Sequence, residues 1–199
     1  LLVEAGTGTG KTFAYLVPAI LSGRKTVIST GTRNLQDQLF HRDVPQVKRL
    51  LGRPLRAALL KGRSNYLCPY RLAQSLGTGQ LSSREAVADL QKVAAWAGKT
   101  QLGDMAELID IAEDSPVWPY VTSTADNCLG QACPNHDECP LMKARATAAE
   151  ADLVVVNHHL FFADKALRER GFGELLPPAE AVIFDEAHQL PDVAAAWCG

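Results

Sequence analysis

The most glycine-rich segment near the start of the sequence has the residue types of a phosphate-binding loop. It consists of Ala5-Gly6-Thr7-Gly8-Thr9-Gly10-Lys11-Thr12, between a short apolar run and a helical pattern. Glycines let the backbone curl until its N–H groups point at phosphate oxygens, with the positive end of the following helix behind them. Lys11 is expected to reach the β- and γ-phosphates of a nucleotide, and Thr12 to hold Mg²⁺. The common pattern has Gly in place of Ala5, so the match is one residue short.

A second candidate site follows the apolar run Ala181–Phe184, which is succeeded by two acids, Asp185 and Glu186. In a nucleotide motor the first acid binds Mg²⁺, and the second orients and deprotonates the attacking water. We therefore assign Asp185 to the metal and Glu186 to the base, with Lys11 as the third catalytic residue. His188 completes an Asp-Glu-Ala-His motif and is counted among the nucleotide-binding residues. Two acids after a strand are common in proteins, so this pair indicates a nucleotide site only because a phosphate-binding loop precedes it.

Four cysteines form the third chemical pattern. Four residues separate Cys128 from Cys133, five separate Cys133 from Cys139, and Cys68 lies sixty positions before Cys128. Four thiolates can ligate a [4Fe–4S] cluster, whereas structural zinc prefers two tight pairs of ligands. The isolated first cysteine and the five-residue gap favour the cluster, with zinc and unligated buried thiols as alternatives. Disulfides are disfavoured in a reducing cytosol.

The elements that would position these residues alternate between short β-rich runs and helical patterns, which indicates a parallel α/β sheet. We predict strands at residues 1–3, 25–29, 55–60, 153–156 and 181–184, and helices at 11–21 and 34–42. A capping box at residues 82–85 predicts a helix to Trp96, and a short helix is predicted at 104–112. Residues 1–63 and 143–199 would then form one α/β domain, and 64–142 a mainly helical insertion held together by something other than a large core.

Charge is segregated along a chain whose formal net charge is only −2. Residues 44–84 contain no Asp or Glu but eight Lys and Arg, whereas residues 85–126 are mainly acidic. A basic run that includes Tyr66 and Tyr70 suits a polyanion with stackable bases, although a solvated basic surface is the alternative. No stretch approaches the roughly 20 apolar residues of a membrane span. Together with the lack of a secretory leader, this favours an intracellular protein.

Five segments, taken together and in this order, resemble the DinG/XPD group of superfamily 2 Fe–S DNA helicases. They are Glu4–Thr12, Ser29-Thr30-Gly31-Thr32, residues 60–68, residues 155–160 and Asp185-Glu186-Ala187-His188. The resemblance spans essentially the whole chain, and the combination of motifs is more specific than any one of them. It also favours iron–sulfur over zinc for the four cysteines.

The resemblance implies a RecA-like P-loop domain with a cluster domain inserted between the nucleotide loop and the DEAH strand. It implies ATP, Mg²⁺ and a [4Fe–4S] cluster as cofactors, and 5′-to-3′ DNA unwinding in repair or replication restart. The implied DNA contacts are Ser29, Thr30, Thr32, Lys61, Arg63 and Tyr66. The implied partners are single-stranded DNA, single-strand/double-strand junctions and a replisome accessory subunit, and the implied location is the bacterial cytoplasm, at the nucleoid.

The group also has segments that this chain does not show, namely an adenine-recognising segment, an arch domain and a second motor domain with an arginine finger. The chain is therefore expected to be a fragment. Because an arginine finger contributes roughly 10³–10⁵ to turnover, we expect residues 1–199 alone to bind nucleotide weakly and to hydrolyse almost no ATP. Two other classes stay open: a P-loop ATPase switch with a zinc-stapled interaction module, and a nucleic-acid-binding module with a vestigial nucleotide loop.

Overall fold

The structure is a computed structural model that describes residues 1–4, 10–79, 81–171 and 174–198. Five residues of the phosphate loop, Ala5, Gly6, Thr7, Gly8 and Thr9, lie outside the described residues. The chain forms two compact units. One, here called the sheet unit, comprises residues 1–60 and 145–199, and the other, the cysteine unit, comprises residues 61–144.

Helices and strands alternate through the sheet unit and helices dominate the cysteine unit. The helices are α1 Lys11–Ser22, α2 Arg33–Gln38, α3 Val44–Leu51, α4 Pro69–Thr78, α5 Arg84–Ala97, α6 Trp118–Val121, α7 Pro140–Glu150, α8 His158–Glu169 and α9 Leu190–Cys198. The strands are β1 Thr26–Thr30, β2 Ala57–Leu59, β3 Leu153–Asn157 and β4 Ala181–Phe184. None of the helices in the described ranges has the length and apolar character needed to span a bilayer.

The four strands form one parallel sheet in the order β2-β3-β1-β4. This confirms the predicted parallel α/β fold. All five residues of β1 are buried, as expected for a central strand covered on both faces. Leu16 and Ile20 of α1 pack on the sheet with Ile28, Leu153 and Val155. The carboxyl ends of β1, β3 and β4 therefore lie side by side, at the edge where parallel sheets bind ligands.

Two predictions for the sheet unit were wrong. Residues 1–3 are exposed and form no strand, because an apolar triplet becomes a strand only when a neighbouring strand supplies ladder hydrogen bonds. The predicted helix at 34–42 is instead α2 followed by a π-helical turn, Leu39–Asp43, that runs directly into α3. Pro45 does not end this run because it occupies the first turn of α3, where proline is tolerated.

The cysteine unit has a hydrophobic core of its own, contrary to the prediction. Its buried members are Leu67, Leu72, Leu90, Val93, Ile111, Val117 and Val121. Helix α5 confirms the predicted helix, but its N-cap is Ser83, whose hydroxyl accepts from the Ala86 N–H. The predicted helix at 104–112 is only a short 3₁₀ turn, Met105–Glu107.

Candidate nucleotide site and cysteine cluster

The sheet unit brings the start of α1 to the end of β4. Gly10 precedes α1 with φ 80°, a left-handed conformation that glycine adopts without steric cost. Lys11 is the first residue of the helix, and its Nζ lies 3.8 Å from Oε1 of Glu186. Both side chains are partly exposed, 37% and 29%, so Lys11 is free to exchange this carboxylate for a phosphate oxygen.

Asp185 is fixed by groups from two elements. Its N–H donates to the Ser29 carbonyl over 2.8 Å, and its Oδ2 accepts from the Tyr15 hydroxyl over 3.1 Å. Burial, the negative charge of Asp185 and this hydrogen bond all raise the pKa of Tyr15, while a hydrogen bond with the Thr12 side chain lowers it. Tyr15 thus contacts both residues predicted to bind Mg²⁺. Sequence reasoning missed it, although its spacing of three from Thr12 places both on one helix face.

Glu186 has a strained backbone. Its φ of 54° and ψ of 43° are left-handed, and no other non-glycine residue in the described part of the chain has a positive φ. Such a conformation costs of order 1–3 kcal/mol and persists only where the surroundings hold it. The Glu186 N–H donates to Oδ1 of Asp185 over 3.0 Å, and its carbonyl accepts from Gln189. The exposed His188 ring lies 3.5 Å from the Glu186 carboxylate.

The turn after β1 presents fewer hydroxyls than its sequence suggested. Ser29 and Thr30 are fully buried; the Ser29 hydroxyl lies 2.6 Å from Nδ1 of His158, and the Thr30 hydroxyl donates to the Thr32 carbonyl. Both hydroxyls are therefore engaged within the sheet unit. Thr32 is exposed and caps α2 by accepting from the Leu35 N–H.

Lys61 and Tyr66, which were also predicted to contact DNA, are interior residues. Lys61 is 3% exposed, and its Nζ lies 2.8 Å from Oδ2 of Asp104. The Tyr66 side chain is buried, and its hydroxyl accepts from the backbone N–H of Lys61. Both form part of the structure of the cysteine unit, since burying an ammonium group is costly without a partner. Arg63, in a short 3₁₀ turn, is half-buried.

Asp104→Ala should destabilise the cysteine unit by about 3–5 kcal/mol, because it leaves the buried Lys61 charge without this carboxylate. Asp104 also accepts a hydrogen bond from the Ala106 N–H. Asp104→Asn can keep that bond while removing the negative charge, so comparing it with Asp104→Ala separates the two losses. Urea unfolding followed through the fluorescence of Trp96 and Trp118 measures the effect. Adding Lys61→Met should recover much of it, and a loss below about 1 kcal/mol would contradict a structural ion pair.

The four predicted cluster ligands all belong to the cysteine unit. Cys68, Cys128, Cys133 and Cys139 are free and half-buried. Burial raises the pKa of the Cys68 thiol, a backbone hydrogen bond at Arg71 opposes this, and the thiols of the other three raise it further. Cys128, Cys133 and Cys139 therefore lie near enough to influence the thiol of Cys68. Within the described ranges, no group of three or more His, Cys, Asp or Glu has the arrangement of a metal-ion site.

The basic run of residues 44–84 is divided between the two units, with residues 44–60 in the sheet unit and residues 61–84 in the cysteine unit. Several of its cations are engaged: Lys48 donates to the Leu55 carbonyl, Arg56 pairs with Asp152, and Arg71 donates to the Pro119 carbonyl. Part of the run therefore has a structural role rather than that of a polyanion surface.

Comparison with known proteins gives a consistent result over the whole chain. A family model described as DEAD/DEAH box helicase matches residues 1–65, and the DEAD_2 model matches residues 125–198. The ATP-dependent DNA helicase YoaA of Haemophilus influenzae is 59% identical over all 199 residues, and that of Escherichia coli is 53% identical. The ATP-dependent helicase DinG of Mycobacterium tuberculosis is 40% identical over 96% of the chain.

The parallel sheet, the Lys11–Glu186 pair and the two family models define a RecA-like domain of the DEAD/DEAH box class. The chain belongs to the DinG/XPD group of these helicases, in the YoaA branch. It spans about a third of the length of the relatives that it matches, 31% of each YoaA protein and 32% of the DinG protein.

Proposed function

We propose that this chain forms the nucleotide-binding half of the motor of an ATP-dependent DNA helicase that moves 5′ to 3′ on single-stranded DNA. The observation that carries the proposal is the 3.8 Å approach of Lys11 to Glu186, which joins the end of the phosphate loop to the DEAH acids. That arrangement suits phosphoryl transfer, where catalysis consists mostly of positioning and charge stabilisation.

Within this site each side chain has one proposed role. Lys11 binds the β- and γ-phosphates, and Glu186 orients the attacking water and accepts its proton. Thr12 and Asp185 would hold Mg²⁺, which neutralises charge on the phosphates when bound. Tyr15 donates to Oδ2 of Asp185 and the Glu186 N–H donates to Oδ1. Each of these carboxylate oxygens keeps a further lone pair that could bind the metal or a water in its shell.

We also propose that Cys68, Cys128, Cys133 and Cys139 hold a [4Fe–4S] cluster. A single zinc ion draws four thiolates to about 2.3 Å from one centre. Zinc also prefers two tight pairs of ligands, whereas here Cys68 stands alone and the other three cysteines have gaps of four and five residues. This spacing suits a [4Fe–4S] cluster better. The bound cluster would act as a cross-link whose ligand bonds supply folding free energy.

The proposed DNA contacts are the exposed turn at Thr32 in the sheet unit and Arg63 in the cysteine unit. Thr32 offers a hydroxyl and backbone at the carboxyl end of β1, and Arg63 offers a guanidinium five residues before Cys68. Single-stranded DNA and its junctions with duplex are the proposed nucleic-acid partners, and the bacterial cytoplasm the proposed location. Repair or replication restart is the proposed setting, with a replisome accessory subunit as a further proposed partner.

The test is to purify the full-length protein without oxygen and to measure its iron, sulfide and zinc, its ATP hydrolysis and its strand separation. We expect about four irons per chain, hydrolysis stimulated by single-stranded DNA, and unwinding of duplexes that carry a 5′ tail. A colourless zinc protein indifferent to DNA would instead be the ATPase switch. DNA affinity unaffected by ATP or by Lys11→Ala would instead indicate the binding module.

A further inference from the structure

His158 is a buried histidine that contacts the ends of both β1 and β4, the strands that precede the Gly31–Thr32 turn and the DEAH motif. It is the first residue of α8, directly after β3, and its side chain is fully buried. Its Nδ1 lies 2.6 Å from the hydroxyl of Ser29, which is equally buried on the neighbouring strand β1. Because buried polar groups are usually hydrogen-bonded, both ring nitrogens of such a histidine are expected to have partners.

The ring of His158 also lies beside the end of β4, since its centroid is 6.1 Å from that of Phe184, the residue before Asp185. Nε2 is buried and, in the described part of the chain, has no hydrogen-bond partner. Backbone groups of Asp185 and Glu186 lie close enough to raise the pKa of the ring, although burial outweighs them and lowers it overall. A backbone group that favours the charged imidazole must be an acceptor, so these are the carbonyls. The neutral ring can accept from Ser29 at Nδ1 and present an N–H to those carbonyls at Nε2.

Those carbonyls belong to the strained part of the site. Glu186 is left-handed, and such a residue requires support from its surroundings. The support also involves β1, because the Asp185 N–H donates to the Ser29 carbonyl. Just beyond Ser29, a Cβ on Gly31 would collide with the side chain of Gln189. The turn after β1 and the turn after β4 are thus packed together, and His158 contacts Ser29 and Phe184, which lie at the ends of these two strands.

We propose that His158 is a positioning residue that holds the Asp185–Glu186 turn in its hydrolytic conformation and couples it to the end of β1. The proposal deepens the proposed function, since it takes Glu186 as the base and the Gly31–Thr32 turn as a DNA contact. A displacement of that turn by DNA would move Ser29, then the imidazole, then the carbonyls that set the direction of the Glu186 side chain.

The test uses the full-length protein with two substitutions that examine the roles of the two ring nitrogens separately. His158→Asn can keep a partner for Ser29 but cannot reach the carbonyls, whereas His158→Gln places its amide near the position of Nε2. His159→Asn, on the exposed neighbour, is the matched control. The readouts are kcat and KM for ATP with and without single-stranded DNA, and hydrogen exchange of backbone amides at residues 183–190.

We expect His158→Asn to lower the DNA-stimulated kcat by about 10²-fold, as for a misplaced catalytic group, with KM within about threefold of the original. Amide exchange should rise at residues 183–190 but not in β3, and His158→Gln should recover part of both losses. An unchanged kcat, a uniform rise in exchange across the sheet, or a Gln variant no better than Asn would overturn the proposal. If the unsubstituted protein hydrolyses no ATP, the proposed function fails, while the exchange pattern still decides the positioning role.

Discussion

Glu186→Gln in the full-length protein should lower the kcat of DNA-stimulated ATP hydrolysis by about 10²–10⁴-fold, the usual contribution of a general base. The amide keeps the size of the side chain but cannot accept the proton of the attacking water. Affinity for ATP should be kept or increased, because the substitution removes a negative charge beside the phosphates and also the ion pair with Lys11. Steady-state hydrolysis and equilibrium binding of a non-hydrolysable ATP analogue measure the two effects separately.

The matched control is Glu169→Gln, which removes an exposed carboxylate at the end of α8 in the same unit. It should leave both quantities unchanged. A Glu186→Gln protein that retained more than about a tenth of its kcat would show that another group takes the proton. A parallel loss of nucleotide affinity would instead show that the left-handed backbone at Glu186 had changed and moved the phosphate site with it.

The sequence predicted best those elements whose patterns are long or bounded by strong signals. The strand Ala181–Phe184 has the predicted bounds, and α1 begins at Lys11 and extends one residue beyond prediction. A continuous apolar run before two acids leaves little choice of structure. The weak predictions concerned short segments: residues 1–3 and 104–112 had the right local pattern, but their structures depend on partners that lie far away in sequence.

Residue burial was the main property that sequence reasoning could not supply. Ser29, Thr30, Lys61 and Tyr66 are polar or amphipathic residues within motifs, and each was predicted to contact DNA. Each proved to be interior, and two of them have partners distant in sequence, since Ser29 pairs with His158 and Lys61 with Asp104. The same distant pairing explains why Tyr15 and His158 were missed as supports of the DEAH acids.

Cys133→Ser should remove the cluster and release one segment of the cysteine unit without unfolding the whole unit. Residues 124–140, all of which the structure describes, include none that is buried, whereas residues 67–121 contain a packed core. A segment without buried apolar side chains cannot offset its own conformational entropy. The cluster bonds through Cys128, Cys133 and Cys139 are therefore the proposed source of its order.

We expect the variant to lose its iron, and limited proteolysis within residues 124–140 to become at least about tenfold faster, as for a segment that loses its local stability. Unfolding reported by Trp96 and Trp118 should change much less, because both side chains pack on the core. Cys198→Ser, outside the quartet, should keep the full iron content. A cross-link stabilises most the segment that has no other source of order. The proposal of a local cross-link would therefore be wrong if Cys133→Ser kept its iron, or if Trp96 and Trp118 reported global unfolding.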